Sequence, residues 1–389
     1  RTAGVPKTVT GEWDWSGNKQ NIINYWRASI IERADRETIV TLGMRGQEDR
    51  PLIPSASIEL NVATLGQIID EQVKILEGAF GDEGAKEVPK TLILYKEVEE
   101  YYYGFEKTDA EVAAGGFDTM QGLIVTDIGE GNNIVSLDVP DHVTLMLCDD
   151  NFGNVRTLPT NEMLAERYDS TDKFNPAKGG FGMYYHFDYH GGPISHEWLG
   201  QTPLEKVNDN MTKAYEAGVD RIWVVNVGDL KPKEMLIDYF INLGYDYDKY
   251  KDINKMDKFV NDFLAREFSS ASEETIKKGE QALNTYYQLT GARKAETLAV
   301  NTLAIHNFDE ADKILRQWEI AVAKAEEGYE AIPDYQKDSW YQNVLFPVRA
   351  AYNVYRMNVY AYFSEVYANE GLAIADVYAD LSELAFKQD

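Results

Sequence analysis

Residues 143–148 (VTLMLC) are an apolar run that leads straight into Asp149, Asp150 and Asn151, with Gly153 just beyond. Carboxylates gathered at the end of an apolar run are costly to fold unless each is solvated, paired or hydrogen-bonded. An Asp/Asn turn or a helix cap accounts equally well for this one segment, but the pattern recurs. Residues 38–44 (TIVTLGM) lead into Arg45, Gly46, Gln47, Glu48 and Asp49, and residues 91–95 (TLILY) into Lys96 and Glu97. Residues 182–185 lead into His186, Phe187, Asp188, Tyr189 and His190, and residues 221–225 (RIWVV) into Asn226, Val227, Gly228 and Asp229. Two carboxylates at such ends can divide the work of general acid and general base. A nearby guanidinium offers a planar fork for a carboxylate on a substrate. The carboxylates could also hold a divalent cation, but oxygen-ligand sites concentrate their ligands more tightly in sequence, and no metal site is expected.

The elements that would position these groups follow from hydrophobic periodicity. The five runs lack strict alternation, which suits strands buried on both faces in a parallel sheet. Helical spacing appears between them at residues 21–34, 65–80 and 204–218. Strand, polar tip and helix in repetition predict an α/β fold, either a (β/α)8 TIM-type barrel or a doubly wound sheet. Chemistry at the C-terminal ends of the strands is where such barrels keep their active sites. Residues 105–133 are rich in Gly and acid and interrupt the rhythm. They read as an insertion near the barrel mouth, with a hairpin from 123–126 and 133–137.

From about Lys251 onward no β-rich run occurs, and helical patterns continue at 273–290, 308–329 and 338–369, with Pro333 between the last two. Asp309, Glu310, Glu326 and Glu327 should lie on solvated faces. The division predicted is a partial (β/α) barrel over residues 1–250 and an α-helical domain over 251–389. Only about five strand units can be counted, whereas a closed barrel needs eight.

Composition excludes several function classes. With 65 acidic and 38 basic residues the formal charge is −27, which argues against nucleic acid and anionic membranes as partners. No apolar run is long enough to span a bilayer. The single Cys148 rules out an internal disulfide framework and multi-thiolate metal sites, and its place in a strand makes it a small core residue. The five histidines show no HExxH spacing, neither GxGxxG nor GxxxxGK[ST] is present, and no serine sits in a GxSxG elbow; no cofactor is expected. Asp150 reads as a cap, Asp188 as a group orienting His186, and His190 and His196 as surface or loop histidines. Trp13, Trp15 and Trp198 could stack on sugar, but core packing is the commoner fate of tryptophan.

Six ordered blocks carry a resemblance: GEWDWSGNKQNI (11–22), IVTLGMRGQED (39–49), LYKEV (94–98), VTLMLCDDNFGNVRTLPT (143–160), GMYYHFDYHGGPISHEWL (182–199) and DRIWVVNVGDLKPKE (220–234). The chain resembles glycoside hydrolase family 115, the xylan α-1,2-glucuronidases, whose catalytic barrel is followed by a helical domain. The resemblance implies an inverting hydrolase that removes α-1,2-linked (4-O-methyl-)glucuronic acid from glucuronoxylan or aldouronic acid oligosaccharides. By motif position it implies Asp49 as general acid and Glu97 as the water-activating base, with Asp149 as the rival. It also implies substrate contacts from Arg45, Asn151, His186, Tyr189 and Asn226. Arg45 could equally serve a neighbouring carboxylate, and an inverting pair should stand about 6.5–9.5 Å apart.

The family's first three strands and its further β-rich C-terminal domain have no counterpart here. The expectation is that the missing strands come from sequence outside this chain or from another chain, for instance in a homodimer, since five of eight strands would leave open edges. A non-catalytic carbohydrate-binding or scaffold protein, and a hydrolase for another uronic acid side chain such as that of arabinogalactan, are the alternatives. The chain opens on RTAGVPKT without a signal-peptide pattern; an extracellular or periplasmic location is implied by the resemblance alone.

Overall fold

Each of the five apolar runs forms a strand of one parallel sheet in a computed structural model that describes residues 6–46 and 50–388. Its strands are β1 (Val40–Thr41), β2 (Lys90–Ile93), β6 (Thr144–Cys148), β7 (Phe181–His186) and β8 (Trp223–Asn226), ordered β1-β2-β6-β7-β8. Register is set by Val40 opposite Lys90, Leu92 opposite Leu145, and Leu145 opposite Phe181. Every residue of β6 is buried, which explains why this central strand reads as a continuous apolar run. The outer strands are shorter and more exposed, with Ile39 beside β1 57% exposed and Val224 of β8 45% exposed.

The remaining strands, β3 (Phe105–Thr108), β4 (Leu123–Gly129) and β5 (Asn132–Leu137), form a separate antiparallel sheet ordered β3-β5-β4. The expected hairpin is therefore present, and β3 joins it by pairing Phe105 with Val135. Gly66 and Gly122 allow this sheet to approach the helix at Ile58–Glu87, because a Cβ on Gly66 would lie 2.3 Å from the Gly122 carbonyl oxygen.

Two compact units are distinguished. The first runs to Cys148 and includes Arg156–Tyr184 and Ala214–Val224; the second comprises Asp149–Val155, Tyr185–Lys213 and Val225–Asp389. In the first, helix α1 (Trp15–Arg33) starts at Asp14, whose carboxylate accepts the Ser16 and Gly17 N–H groups, a favoured cap. It buries Trp15, Ile22, Ile23, Trp26 and Ile30, so Trp15 is a core residue. Arg167 is 2% exposed and donates to the carbonyls of Val139, Pro140 and Val143, pinning the chain where it enters β6.

The second unit is mainly helical, with α2 (Glu273–Ala292), α3 (Glu310–Ala331), α4 (Asp334–Trp340), α5 (Phe346–Asn369) and α6 (Ile374–Gln388). The helix expected over 338–369 is present, with right-handed helical dihedrals kept where α4 runs into α5, but it widens to a π-turn at Tyr341–Leu345. Pro347 supplies the reason, because it has no N–H for the i→i−4 ladder and the turn widens around it. No helix among the described residues is long and apolar enough to cross a membrane.

Trp340 anchors this unit. It is fully buried, its Nε1 donates to the Ala325 carbonyl at 2.9 Å, and Gly279 and Gly328 make room for its ring. Trp340→Ala is expected to lower the unfolding free energy by about 3–5 kcal/mol, measured by urea denaturation. Gly328→Ala should also destabilise, by roughly 1–3 kcal/mol, because its Cβ would lie 2.2 Å from the Trp340 ring. Unchanged unfolding midpoints would refute this packing.

Candidate functional site

Asp149 follows the last residue of β6 and is enclosed, its side chain 0% exposed. Two donors compensate the burial. Gly153 N–H donates to Oδ2 at 2.7 Å, and His186 Nδ1 lies 2.5 Å from Oδ1. The first bond requires a tight loop, closed by a bridge between Asp149 and Val155 and by Asp150 N–H donating to the Asn154 carbonyl at 3.0 Å. Asn151 and Gly153 both take left-handed conformations, with φ of 69° and 84°. Glycine is needed at 153, since a Cβ there would lie 2.7 Å from the Tyr185 hydroxyl oxygen. That hydroxyl donates to the Gly153 carbonyl at 2.9 Å. Burial first, and then the charges of Asp149 and Asp150, push its pKa well above the ordinary phenol value, so it stays a donor. Asp150 shapes the same loop, accepting from Phe152 N–H, Asn154 N–H and the Asn154 amide.

His186 Nδ1 is committed to Asp149, so the ring is oriented by the carboxylate. His186 is itself 1% exposed, and Tyr189 stands edge-on to it with ring centroids 6.4 Å apart. Asp188, expected to orient His186, pairs with the fully enclosed Lys233 at 3.3 Å, because a buried ammonium requires acceptors. Lys233 takes two more from the Glu197 and Val227 carbonyls, each at 2.9 Å. Asn226 accepts Gly228 N–H on its side chain and Phe187 N–H on its carbonyl.

His196, expected as a surface or loop histidine, stands in a loop but is buried, 1% exposed. Its Nε2 donates to the Asn151 carbonyl at 2.7 Å, and its ring packs on Phe152 with centroids 4.7 Å apart. No periodicity announced it, because its enclosure depends on segments 45 residues apart in sequence. His190, in contrast, is exposed. Asn151 Oδ1 and His196 Nδ1 are buried without a hydrogen-bond partner.

In the first unit, Arg45 and Glu97 form a two-pronged pair. Arg45 Nε donates to Oε1 at 3.0 Å and Nη2 to Oε2 at 2.8 Å, with side chains 12% and 17% exposed. Arg45 follows β1, in a segment held by Gln72, whose Oε1 accepts Gly43 N–H at 2.7 Å. Glu97 opens the helix Glu97–Tyr103 directly after β2. The Arg45 guanidinium lies 5.9 Å from the Tyr95 ring centre, and the Tyr101 phenol is pushed up to about 12 by burial and then by the Glu97 charge. Asp49 lies outside the described residues. Among the described residues no group of three or more His, Cys, Asp or Glu could hold a metal ion.

A fork-held carboxylate at the end of β2 and a carboxylate–imidazole pair at the ends of β6 and β7 are groups suited to proton transfer and to binding a hydroxylated, acidic substrate. The family model described as Glycosyl hydrolase family 115 matches residues 2–123 and 130–297; the gap at 124–129 falls on β4. Among solved structures the chain is similar to a family GH115 4-O-methyl-alpha-glucuronidase, BtGH115A, with specificity for decorated arabinogalactans. Identity is 25% and the TM-score 0.73, over 97% of this chain and 46% of that one. The chain thus spans about half the length of the structure it matches. No curated protein sequence matches it.

Enclosure, and then the positive charge of Lys294, lower the His196 pKa to about 4 from the ordinary 6.5. A native state that binds fewer protons than the unfolded chain loses stability as pH falls. The stability tied to His196 is therefore fully present above pH 6.5 and is lost as pH falls through about 4. His142, lowered to about 4 mainly by burial, acts in the same window. Urea unfolding of His196→Gln across this window should show a shallower decline than the wild type. An identical slope would show that His196 is not held neutral.

Proposed function

Because this chain belongs to glycosyl hydrolase family 115, we propose that it is part of a glycoside hydrolase that removes α-1,2-linked (4-O-methyl-)glucuronic acid from glucuronoxylan. In this reading Glu97 takes a proton from a water molecule as that water attacks the anomeric carbon. Asp49 gives a proton to the departing xylosyl oxygen. The C1–O bond to xylose breaks, a C1–OH bond forms on the opposite face, and the configuration inverts. The observation that supports the reading is the Arg45–Glu97 pair: the guanidinium fork holds the carboxylate proposed as base in one orientation at the strand end. A carboxylate has about four lone-pair sites, so Glu97 retains capacity for the water while bonded to Arg45. Asp149 acts through His186, fixing the orientation of its ring. Asn151, Tyr189 and Asn226 supply further contacts.

A second reading has its own support. The similar solved structure is described as specific for decorated arabinogalactans, so a uronic acid carried on arabinogalactan is the competing substrate. For the fold, we propose that the five parallel strands belong to a (β/α)8 barrel within residues 1–250. Its other strands would come from sequence outside this chain or from a second chain, and residues 251–389 would form the helical domain. Coverage of about half of the similar structure supports this. Action on plant polysaccharide would place the enzyme outside the cell or in the periplasm.

The test is release of uronic acid by the full-length protein from aldouronic acid oligosaccharides and from glucuronidated arabinogalactan, with NMR of the first-formed anomer. Glu97→Gln should lower kcat by roughly 10²–10⁴-fold, the range of general acid–base catalysis. A Glu97→Gln enzyme as active as the wild type, or a retained anomer, would overturn the mechanism. Wild-type rates from the 389-residue chain alone as a monomer would overturn the barrel proposal.

A further inference from the structure

The loop that follows β7 carries Tyr189 and His196, and its far end is held by a group the proposed chemistry does not use. Glu296, on the 3-10 turn Ala295–Thr297, accepts Glu197 N–H at 2.8 Å and Trp198 N–H at 2.7 Å on one carboxylate oxygen. Its other oxygen accepts the Gln201 amide at 2.5 Å. Gln201 reciprocates by accepting Ala295 N–H at 2.6 Å, and Lys294 donates to the Thr202 hydroxyl at 3.3 Å. Gln201 and Thr202 are each 1% exposed. From another direction Lys233 donates to the Glu197 carbonyl, so both backbone polar groups of residue 197 are held by ionic side chains.

The residue just before this clasp is His196. Its own N–H and C=O are paired with Tyr189 at 2.9 and 3.0 Å. Fixed on both sides, the backbone of His196 leaves its ring little freedom, and the ring donates to the Asn151 carbonyl. Asn151 is in the left-handed region, which a non-glycine residue keeps only where its surroundings over-determine it. Its Oδ1, buried and without a partner, is aimed by that conformation.

We infer that Glu296 is a positioning residue: it fixes the loop at Glu197–Gln201 and thereby, through the His196 ring, the conformation of Asn151 at the end of β6. The family match reaches residue 297 and so includes this clasp. The inference rests on the proposed uronosidase reading only for its kinetic readout. A role limited to stability would lower the melting temperature of a Glu296 variant and leave turnover per folded molecule alone. A positioning role has a different signature, since two residues acting along one path have non-additive effects.

The experiment uses the full-length enzyme with Glu296→Ala, Glu296→Gln, His196→Phe and the Glu296→Ala/His196→Phe double variant. Kinetics are read on an aldouronic acid oligosaccharide, and hydrogen exchange at the amides of residues 197 and 198. Glu296→Ala should speed exchange at those two amides at least tenfold. It should also lower kcat/KM by roughly ten- to a hundredfold, the scale of an ångström's misplacement. Glu296→Gln, which keeps an acceptor, should recover most of the loss and serves in place of the alanine variant if that fails to fold. The double variant should be no worse than His196→Phe alone within about twofold. Multiplicative losses, or wild-type kcat/KM in Glu296→Ala, would overturn the inference. If the wild type releases no uronic acid from any substrate, the functional reading fails by itself. The exchange data then decide: unchanged exchange at residues 197 and 198 refutes the clasp, and faster exchange supports it.

Discussion

A carboxylate removed from water must be given donors, and the end of β6 is arranged around that requirement. Asp149 is wholly enclosed, and an uncompensated buried charge would cost several kcal/mol or neutralise itself. One donor comes from the loop's own backbone, which obliges the chain to turn back at Gly153 in a conformation closed to side chains. The other comes from His186, at the end of β7. The same pairing that satisfies the carboxylate fixes the orientation of the ring. The geometry is that of the carboxylate that holds the imidazole in a Ser-His-Asp triad.

The requirement spreads outward. The αL turn at Asn151 presents a carbonyl that needs a donor and receives it from His196. The loop bearing His196 is tied to Lys233, whose buried ammonium gathers Asp188 and two carbonyls. The loop's far end is tied to Glu296. Most links satisfy a buried polar group of the preceding one, while Asn151 Oδ1 and His196 Nδ1 stay without a hydrogen-bond partner, and an unpaired buried polar group is costly. Polar residues are therefore concentrated behind the strand ends, while the strands themselves are apolar. In the first unit the Arg45–Glu97 fork follows the same logic on a smaller scale, each ion meeting the other's geometry.

Much of the architecture was legible in advance. Period and apolar continuity located all five parallel strands, and the helices at Trp15–Arg33, Glu273–Ala292 and Glu310–Ala331 follow the expected periodicity. The hairpin of β4 and β5 was expected within the Gly- and acid-rich stretch at 105–133. Other features were not foreseen. The helix expected over 338–369 is present but widens to a π-turn before Pro347, a local signal masked by strong flanking periodicity. The burial of His196 and the Asp188–Lys233 pair depend on partners, Asn151 and Lys233, that are distant in sequence.

The sequence by itself determined which segments become strands and helices, and that acidic, amide and imidazole groups stand at the strand ends. Those outcomes depend on local spacing, residue volume and backbone preference, all of which are written in consecutive residues. Only the tertiary structure decided which oxygen meets which donor: Asp149 with His186 and Gly153, Glu97 with Arg45, Glu296 with the loop at 197–201. Such choices depend on which desolvated groups the packed chain brings within about 3 Å of one another. That distance is set by the placement of whole elements, which no single stretch of sequence contains.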